Sequence, residues 1–218
     1  MGNTILAILE QVWPRLKAEA PGAAAWTRKA CARARTAEFM APLLLRWYLA
    51  PVFWMAGVQK FSHFSETAVW FGDAESGLGL PAPYIWVFLV ALFETLGAVF
   101  LFLGFATRVI SLPLMVIMAV AALEVHWPNG WLAIAAGQGL FATGRTMAAV
   151  ERLQQAKEIL QSQTDYNWLT EHGNLVMLNN GVEFAVTYFV MLLTLFFIGG
   201  GRYVSADYWL KRHWHWQD

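Results

Sequence analysis

The sequence predicts an all-α membrane protein: a four-transmembrane-helix bundle with an amphipathic helical insertion between the third and fourth spans. Composition is the first reason, since 58% of the 218 residues are hydrophobic and only 14% are charged, whereas a soluble chain carries about 25% charged residues. The second reason is an apolar stretch from Tyr84 to Phe105 that holds one carboxylate, Glu94. At a rise of about 1.5 Å per residue, a helix of this length spans the ~30 Å hydrocarbon core of a bilayer.

Residues 1–40 precede the predicted spans and are expected on the cytoplasmic side. Apolar residues recur at helical spacing from Ile5 to Leu16, which is typical of a short interfacial helix. Before Glu38, this segment carries six basic residues against two acidic ones. Such an excess of positive charge marks the cytoplasmic side by the positive-inside rule.

The membrane domain is predicted to comprise residues 41–201. Its four spans are expected at about residues 42–61, 84–105, 109–126 and 181–198. Glycine and proline residues indicate an irregular connection between the first and second spans, at residues 62–83. Residues 202–218 are expected to form a cytoplasmic tail rich in aromatic and basic residues.

An outer-side insertion, residues 131–180, separates the third span from the fourth. Its first apolar run, residues 131–143, is too short to cross the hydrocarbon core and favours an interfacial or re-entrant segment. Residues 145–163 alternate charged residues with an apolar stripe, which predicts an amphipathic surface helix.

The distribution of lysine and arginine predicts the orientation of the spans. Eleven of the 15 fall on the side of both termini, and four fall on the other side: Lys60, Arg145, Arg152 and Lys157. Both termini are therefore expected in the cytoplasm, with the protein embedded in the lipid bilayer of the cell's inner (plasma) membrane. The net charge is zero, which argues against a nucleic-acid partner.

Glu94 is a candidate functional residue because an ionised acid at mid-bilayer costs about 2.5 to 3.5 kcal/mol on insertion scales and needs a partner or a proton. Gly97 and Gly104 lie on nearly the same helical face, where small residues let a neighbouring helix approach, so Glu94 is expected to face the bundle. Three residues are candidate partners: Lys60, which is favoured, Gln59 and His126. Two interpretations stay open, namely a polar contact that fixes helix register and a proton-accepting group in a ligand pocket.

Further polar residues are predicted at helix ends on the outer side: Glu124, His126 and Glu183. Glu124 and His126 are two residues apart, so on a regular helix they point in nearly opposite directions and share a site only if the helix ends between them. The pKa of histidine lies near neutrality, which makes His126 a candidate for a proton relay or a hydrogen bond at the membrane boundary. No His-x-x-x-His or Glu-x-x-His pair is present, so no metal site is predicted.

Arg46 and Arg108 are expected on the cytoplasmic side. One interpretation is an interaction with phosphate head groups that sets the orientation of the helices. The other is the binding of an anion or substrate between the first and third helices. The single cysteine, Cys31, excludes an internal disulfide.

An ordered set of residues over about 42–131 resembles the DoxX family of small membrane proteins: Arg46, Leu49-Ala50, Phe53, Gly57 and Lys60, then Gly79-Leu80-Pro81, Glu94 with Gly97, Leu103-Gly104 with Thr107-Arg108, and His126 with Gly130. The resemblance implies a four-helix membrane bundle. One branch of the family is similar to the membrane subunit of a thiosulfate:quinone oxidoreductase. Other members are associated with membrane redox complexes, thiol stress or clusters that encode peptide-modifying enzymes.

The first functional hypothesis is a redox-linked membrane subunit that binds a quinone-like or other small ligand within the bundle. Glu94, Lys60 and His126 would handle protons, and a redox partner protein would supply electrons. The candidates for further ligand contacts are Glu124, Glu183, Arg46 and Arg108. If the protein is catalytic, it is expected to be a quinone-linked oxidoreductase; the cofactor stays open, with quinone as the candidate.

Two other functions are weighed against it. The first is a non-catalytic accessory or scaffold protein of a maturation, export or stress-response complex, which would dock a partner such as a peptide-modifying enzyme through residues 145–180. The second is a small-molecule transporter. Four spans with one buried acid are few for a transport path through the membrane, although several copies of the chain in a homo-oligomer would complete such a path.

Overall fold

The computed structural model describes residue 26 and residues 36–214, with side chains described as far as residue 213. Contacts divide the chain into two units, Met1–Ala41 and Pro42–Asp218. The interfacial helix expected near the start of the chain and Cys31 lie outside the described residues. The last four residues of the predicted tail lie outside them as well.

The described part of the chain is helical and has no β-strand. Its helices, in chain order, are α1 (Met40–Ser62), α2 (Phe64–Gly72), α3 (Pro83–Leu103), α4 (Thr107–Val120), α5 (Gly144–Gln163), α6 (Tyr166–Leu169), α7 (Glu183–Ile198) and α8 (Ala206–Trp214). A π-helical turn, Ala121–His126, and a 3-10 turn, Trp127–Asn129, continue α4.

Among the residues that the structure describes, three helical segments are long and apolar enough to cross a membrane: Met40–Ser62, Pro83–Leu103 and Thr107–Asn129. They correspond to the first three predicted spans. The fourth predicted span corresponds to α7, an apolar helix of 16 residues that is about 24 Å long at 1.5 Å per residue. This is shorter than the ~30 Å hydrocarbon core, so length and composition support three of the four predicted spans.

Glycines bring α3 close to both of its neighbouring helices. A Cβ on Gly57 of α1 would lie 2.9 Å from the Thr95 backbone nitrogen and 3.0 Å from the Ala91 oxygen, so α1 and α3 touch there almost backbone to backbone. On the α4 side, a Cβ on Gly97 would lie 2.9 Å from Leu114 Cδ1. The close approach expected at Gly97 is confirmed, and it fixes which face of α3 looks into the bundle.

Four helices contribute to one hydrophobic core. Its fully buried side chains come from α1, α3, α4 and α7: Leu49, Phe53, Leu101, Leu114, Leu192 and Leu195. In lipid, such a core is stabilised chiefly by close van der Waals packing of the helices. The short helix α7 is therefore an integral part of the bundle.

Helix α7 runs antiparallel to α4 along most of its length. At one end, the Val182 N–H donates to the Gly130 oxygen at 2.9 Å. At the other end, Arg108 Nη2 donates to the Phe197 oxygen at 3.2 Å. We refer to these two ends of the bundle as the His126 end and the Arg108 end.

At the His126 end, residues 129–135 and 177–183 pair side by side in a structure that we call the clasp. Asn179 is buried in it, and its side-chain amide donates to two backbone oxygens of the first segment at 2.8 and 2.6 Å. A Cβ on Gly181 would come within 2.6 Å of three backbone oxygens, so this position requires glycine. The segment expected to be interfacial or re-entrant, 131–143, is non-helical and begins inside the clasp.

A helix is present where the amphipathic helix was predicted at residues 145–163: it is α5, Gly144–Gln163. It begins with a capping box: the Thr143 hydroxyl accepts from the Thr146 N–H, and the Thr146 hydroxyl accepts from the Thr143 N–H. Most of its side chains are exposed, including the apolar side chains of Met147 and Ile159.

The prediction of an irregular connection at residues 62–83 is wrong for the first half of this segment, which forms α2. Ala68 and Phe71 of this helix pack against Val87 of α3. A helix of nine residues is only marginally stable by itself. Its packing against α3 therefore stabilises α2, and local sequence signals do not reveal this packing. The second half of the connection is irregular, as predicted.

Candidate functional site

Lys60 and Glu94 form an ion pair inside the bundle. Lys60 Nζ lies 2.7 Å from Glu94 Oε2 and 3.0 Å from Oε1, so the ammonium donates to both carboxylate oxygens. The Glu94 side chain is 2% exposed and the Lys60 side chain is 24% exposed. Lys60 is thus the partner of Glu94, and it compensates an acid that lies midway along a membrane-spanning helix.

The close contact between α1 and α3 explains how this pair forms. Lys60 follows Gly57 by one helical turn, and Glu94 precedes Gly97 by one turn. Because Gly57 admits the α3 backbone, the Lys60 side chain reaches the carboxylate inside the bundle. Lysines near the ends of membrane helices commonly extend to the interface; this one extends inward.

A cavity of about 740 Å³ lies beside the ion pair. Lys60, Glu94 and His126 all line it. The rest of its wall is mainly aliphatic and aromatic and comes from α1, α2, α3, α4 and α7, with side chains such as Phe53, Phe71, Phe93, Ile117, Val125 and Tyr188. A mostly apolar cavity with a few convergent polar groups is typical of a small-molecule site.

The π-helical turn Ala121–His126 decides which polar residue of this region reaches the cavity. A π-turn closes i→i+5 hydrogen bonds and so holds one more residue than an α-turn. The shift brings Val125 and His126 to the cavity wall, while Glu124 is exposed. The sequence predicted that Glu124 and His126 point in nearly opposite directions on a regular helix. In the structure, His126 lines the cavity and Glu124 does not.

His126 is held by the clasp. Its Nδ1 lies 2.9 Å from the Asn180 backbone oxygen. A carbonyl oxygen only accepts hydrogen bonds, so Nδ1 carries a proton, and in the neutral ring Nε2 is left as the acceptor. The clasp therefore fixes the tautomer in which His126 accepts a proton at Nε2.

The loop between α2 and α3 forms part of the cavity wall through Leu78 and Leu80. Asp73 organises this loop: its carboxylate accepts hydrogen bonds from the Ser76 hydroxyl and from the Glu75 N–H. Those hydrogen bonds, that of Ser76 first, lower the pKa of Asp73 below its ordinary value. The loop is thus stabilised by an ionised carboxylate at neutral pH.

Glu183, another predicted ligand contact, belongs to the clasp. Its Oε2 accepts from the Ala133 N–H at 3.0 Å. The neighbouring residues of α7 that line the cavity are Phe184 and Ala185. Glu183 therefore joins the insertion to the start of α7.

Arg46 and Arg108 lie at the opposite end of the bundle from His126. Arg46 is fully buried and its Nη2 donates to the Val204 oxygen at 2.5 Å. A Cβ on Gly104 would overlap its guanidinium, so the turn after α3 requires glycine here. Arg46 thus contacts this chain's own backbone, while Arg108 is exposed. The two interpretations of this pair, contact with head groups and binding of an anion or substrate, stay predictions.

Sequence reasoning missed Asn179 and Asn180, which hold the clasp and His126. The dipeptides Asn180-Gly181 and Asn129-Gly130 are turn signals, and one lies in each segment of the clasp. They do not indicate that the two turns meet. Among the described residues, no three His, Cys, Asp or Glu side chains are grouped to hold a metal ion.

Residues 41–127 match the DoxX family model. The resemblance drawn from the sequence is confirmed for this region, which we call the DoxX region. It contains α1 to α4 with Lys60, Glu94 and His126, and it covers less than half of the chain. Together with the apolar helices, the match indicates a multi-pass membrane protein. The second segment of the clasp, residues 177–183, and helices α5 to α8 lie outside the DoxX region.

Comparison with curated proteins and with solved structures gives no match.

Proposed function

We propose that this DoxX-region protein is a redox-linked membrane subunit that binds a quinone-like ligand in the cavity between its helices. One observation carries the proposal: Lys60, Glu94 and His126 line a single, otherwise mostly apolar cavity. A quinone is an apolar ring with carbonyl oxygens, and its reduction adds protons as well as electrons. The cavity offers both an apolar wall and groups that hold protons.

The ion pair supplies the group that would recognise a carbonyl. An ammonium has three N–H donors, and Lys60 directs two of them to Glu94 Oε1 and Oε2. The third is left for a ligand oxygen. Glu94 holds the ammonium in place, and His126, through Nε2, exchanges protons toward the His126 end of the bundle. Electrons come from a partner protein.

The cavity also suits a long ligand. It follows α4 from Pro113 to His126, a distance of about 20 Å at 1.5 Å per residue. The polar groups lie at one side and one end of this path, so a ring would sit near Lys60 and an apolar chain would extend toward Pro113.

The binding test uses the full chain in lipid nanodiscs with a short-chain quinone, measured by titration calorimetry. Wild-type protein is expected to bind, and Glu94→Gln to bind about tenfold more weakly, because a neutral amide no longer fixes the charged donor; a hydrogen bond to a charged group is worth about 1.5–3 kcal/mol. The matched control is Glu124→Gln, an exposed acid outside the cavity that should bind like wild type. Absence of binding to wild type, or equal binding by both variants, would refute the proposal.

A second function is favoured by a different observation. Helix α5 leaves most of its surface exposed, apolar Met147 and Ile159 included. Under this alternative the protein is an accessory subunit that docks a partner on α5, and the Lys60–Glu94 pair only fixes helix register. Glu94→Gln would then lower the melting temperature while no quinone binding is seen in any variant.

We further propose four spans, with α7 as the fourth and the Arg108 end in the cytoplasm of an inner-membrane protein. Support comes from the antiparallel course of α7 beside α4 and from basic residues gathered at that end: Arg46, Arg108, Arg202, Lys211 and Arg212. Positive charge near short loops favours the cytoplasm.

The orientation is open to a labelling experiment, because Cys31 is the single cysteine. In a Cys31→Ser background, Glu66→Cys is expected to react with a membrane-impermeant maleimide on intact cells, and Arg212→Cys to react only after the cells are opened. Both replaced residues are exposed. Labelling of Arg212→Cys in intact cells would exclude a fourth span in this orientation.

A further inference from the structure

A second cavity, of about 600 Å³, lies at the Arg108 end between the start of α4, the end of α7 and α8. Its apolar wall includes Val109, Ile198 and Leu210. Residues 199–201 are all glycine and add no side chain to fill it. Val109 and Ile198 are also exposed, at 68% and 48%, so the wall continues onto the outer surface of the two helices.

Three cations line this cavity: Arg108, Arg202 and Lys211. The hydrogen bond from Arg108 Nη2 to the Phe197 oxygen orients its guanidinium and uses one of its five N–H donors. Arg202 and Lys211 are exposed on the other side of the opening. The cavity therefore combines three cations with a largely apolar wall.

The acidic residue that lines the cavity, Asp207, is hydrogen-bonded to the backbone at the start of α4. Asp207 accepts hydrogen bonds from the Ala106 N–H at 2.6 Å and from the Thr107 N–H at 2.9 Å. These N–H groups begin α4, and helix N-termini favour a carboxylate. Asp207 thus stabilises the start of α4, and with one carboxylate against three cations the cavity wall carries a net positive charge.

Aromatic and basic residues surround this cavity. Helix α8 is amphipathic, with Trp209 53% exposed and Arg212 stacked 5.6 Å from its ring centre. Tyr203 beside it is also exposed. Tryptophan and tyrosine with neighbouring lysine and arginine are typical of helices that lie in the membrane interface.

We propose that this cavity binds the phosphate head group of an anionic phospholipid. The three cations face the phosphate, and Arg108 provides a planar donor fork that suits its oxygens. The acyl chains follow Val109 and Ile198 onto the surface of the bundle. The apolar wall selects a lipid over free phosphate, which would use the cations alone.

The test compares two double variants with the same change in charge and residue type. Arg202→Gln with Lys211→Gln removes two cations of the site; Arg152→Gln with Lys157→Gln removes an arginine and a lysine from α5 at the other end. The full chain in detergent is titrated with phosphatidylglycerol, phosphatidylcholine or inorganic phosphate, and bound lipid is counted by native mass spectrometry. Arg108 is left unchanged, so its contact with α7 is preserved.

Wild type and the α5 variant are expected to prefer phosphatidylglycerol to phosphatidylcholine. The site variant should bind phosphatidylglycerol about 30-fold more weakly, which corresponds to about 2 kcal/mol at about 1 kcal/mol per cation near a lipid surface. An equal loss in both variants, equal binding of the two lipids, or competition by inorganic phosphate at the same affinity would overturn the proposal. Unchanged melting temperatures exclude unfolding as the cause of a loss.

Discussion

Replacement of Lys60 by methionine is expected to destabilise the bundle by about 3 kcal/mol. The substitution leaves Glu94 buried without its cation, and removal of one partner from a buried pair costs about 3–5 kcal/mol. We expect the lower end of that range, because the Lys60 side chain is 24% exposed and water screens part of the interaction. The measurement is the free energy of unfolding in bicelles, obtained by steric trapping.

The control is the double variant Lys60→Met with Glu94→Leu. Removing both charges leaves no uncompensated acid, so most of the lost stability should return. If the double variant is as unstable as Lys60→Met alone, the loss comes from packing at α1 and α3. The ion pair would then not be the cause.

Replacement of Arg46 by methionine is expected to release the chain after α7 from the bundle. Arg46 Nη2 donates to the Val204 oxygen across 158 residues of sequence, and a hydrogen bond from a charged group contributes about 1.5–3 kcal/mol. Without it, the Val204 carbonyl loses this donor and the turn before α8 loosens. The measurement is limited trypsin digestion, in which cleavage after Arg202 should become at least tenfold faster.

Arg152→Met serves as the comparison for that experiment. It removes an exposed arginine of α5 at the opposite end of the bundle, so the rate of cleavage after Arg202 should match wild type. Equal acceleration in both variants, or none in Arg46→Met, would mean that Arg46 does not hold this segment.

Much of the fold could be predicted from the sequence because these parts of the fold depend on local sequence patterns. An apolar run of bilayer length predicts a span whatever its neighbours are, and alternating charge predicted α5. The pair of Lys60 and Glu94 was the favoured of three candidates for a similar reason: an acid at mid-span needs a partner, and the adjacent helix carries a cation.

What the sequence did not predict depends on contacts between distant segments. Helix α2 forms because Ala68 and Phe71 pack on α3, and its own sequence is too short to show this. The π-turn that brings His126 to the cavity changes the count of residues per turn, which a regular periodicity cannot anticipate. Likewise, nothing near Arg46 indicates that its acceptor is Val204.

The bond between Arg46 and Val204 also has a consequence for biosynthesis. The ribosome makes Arg46 early, within the first membrane helix, and its acceptor only 158 residues later. During that interval α1, α3 and α4 are already in the translocon or the lipid, and the guanidinium has the Pro42 oxygen of its own helix as an acceptor but not yet Val204. Final assembly therefore waits for the chain beyond α7, and a nascent protein that stops before Val204 would present that charge to the proteases that survey unassembled membrane helices.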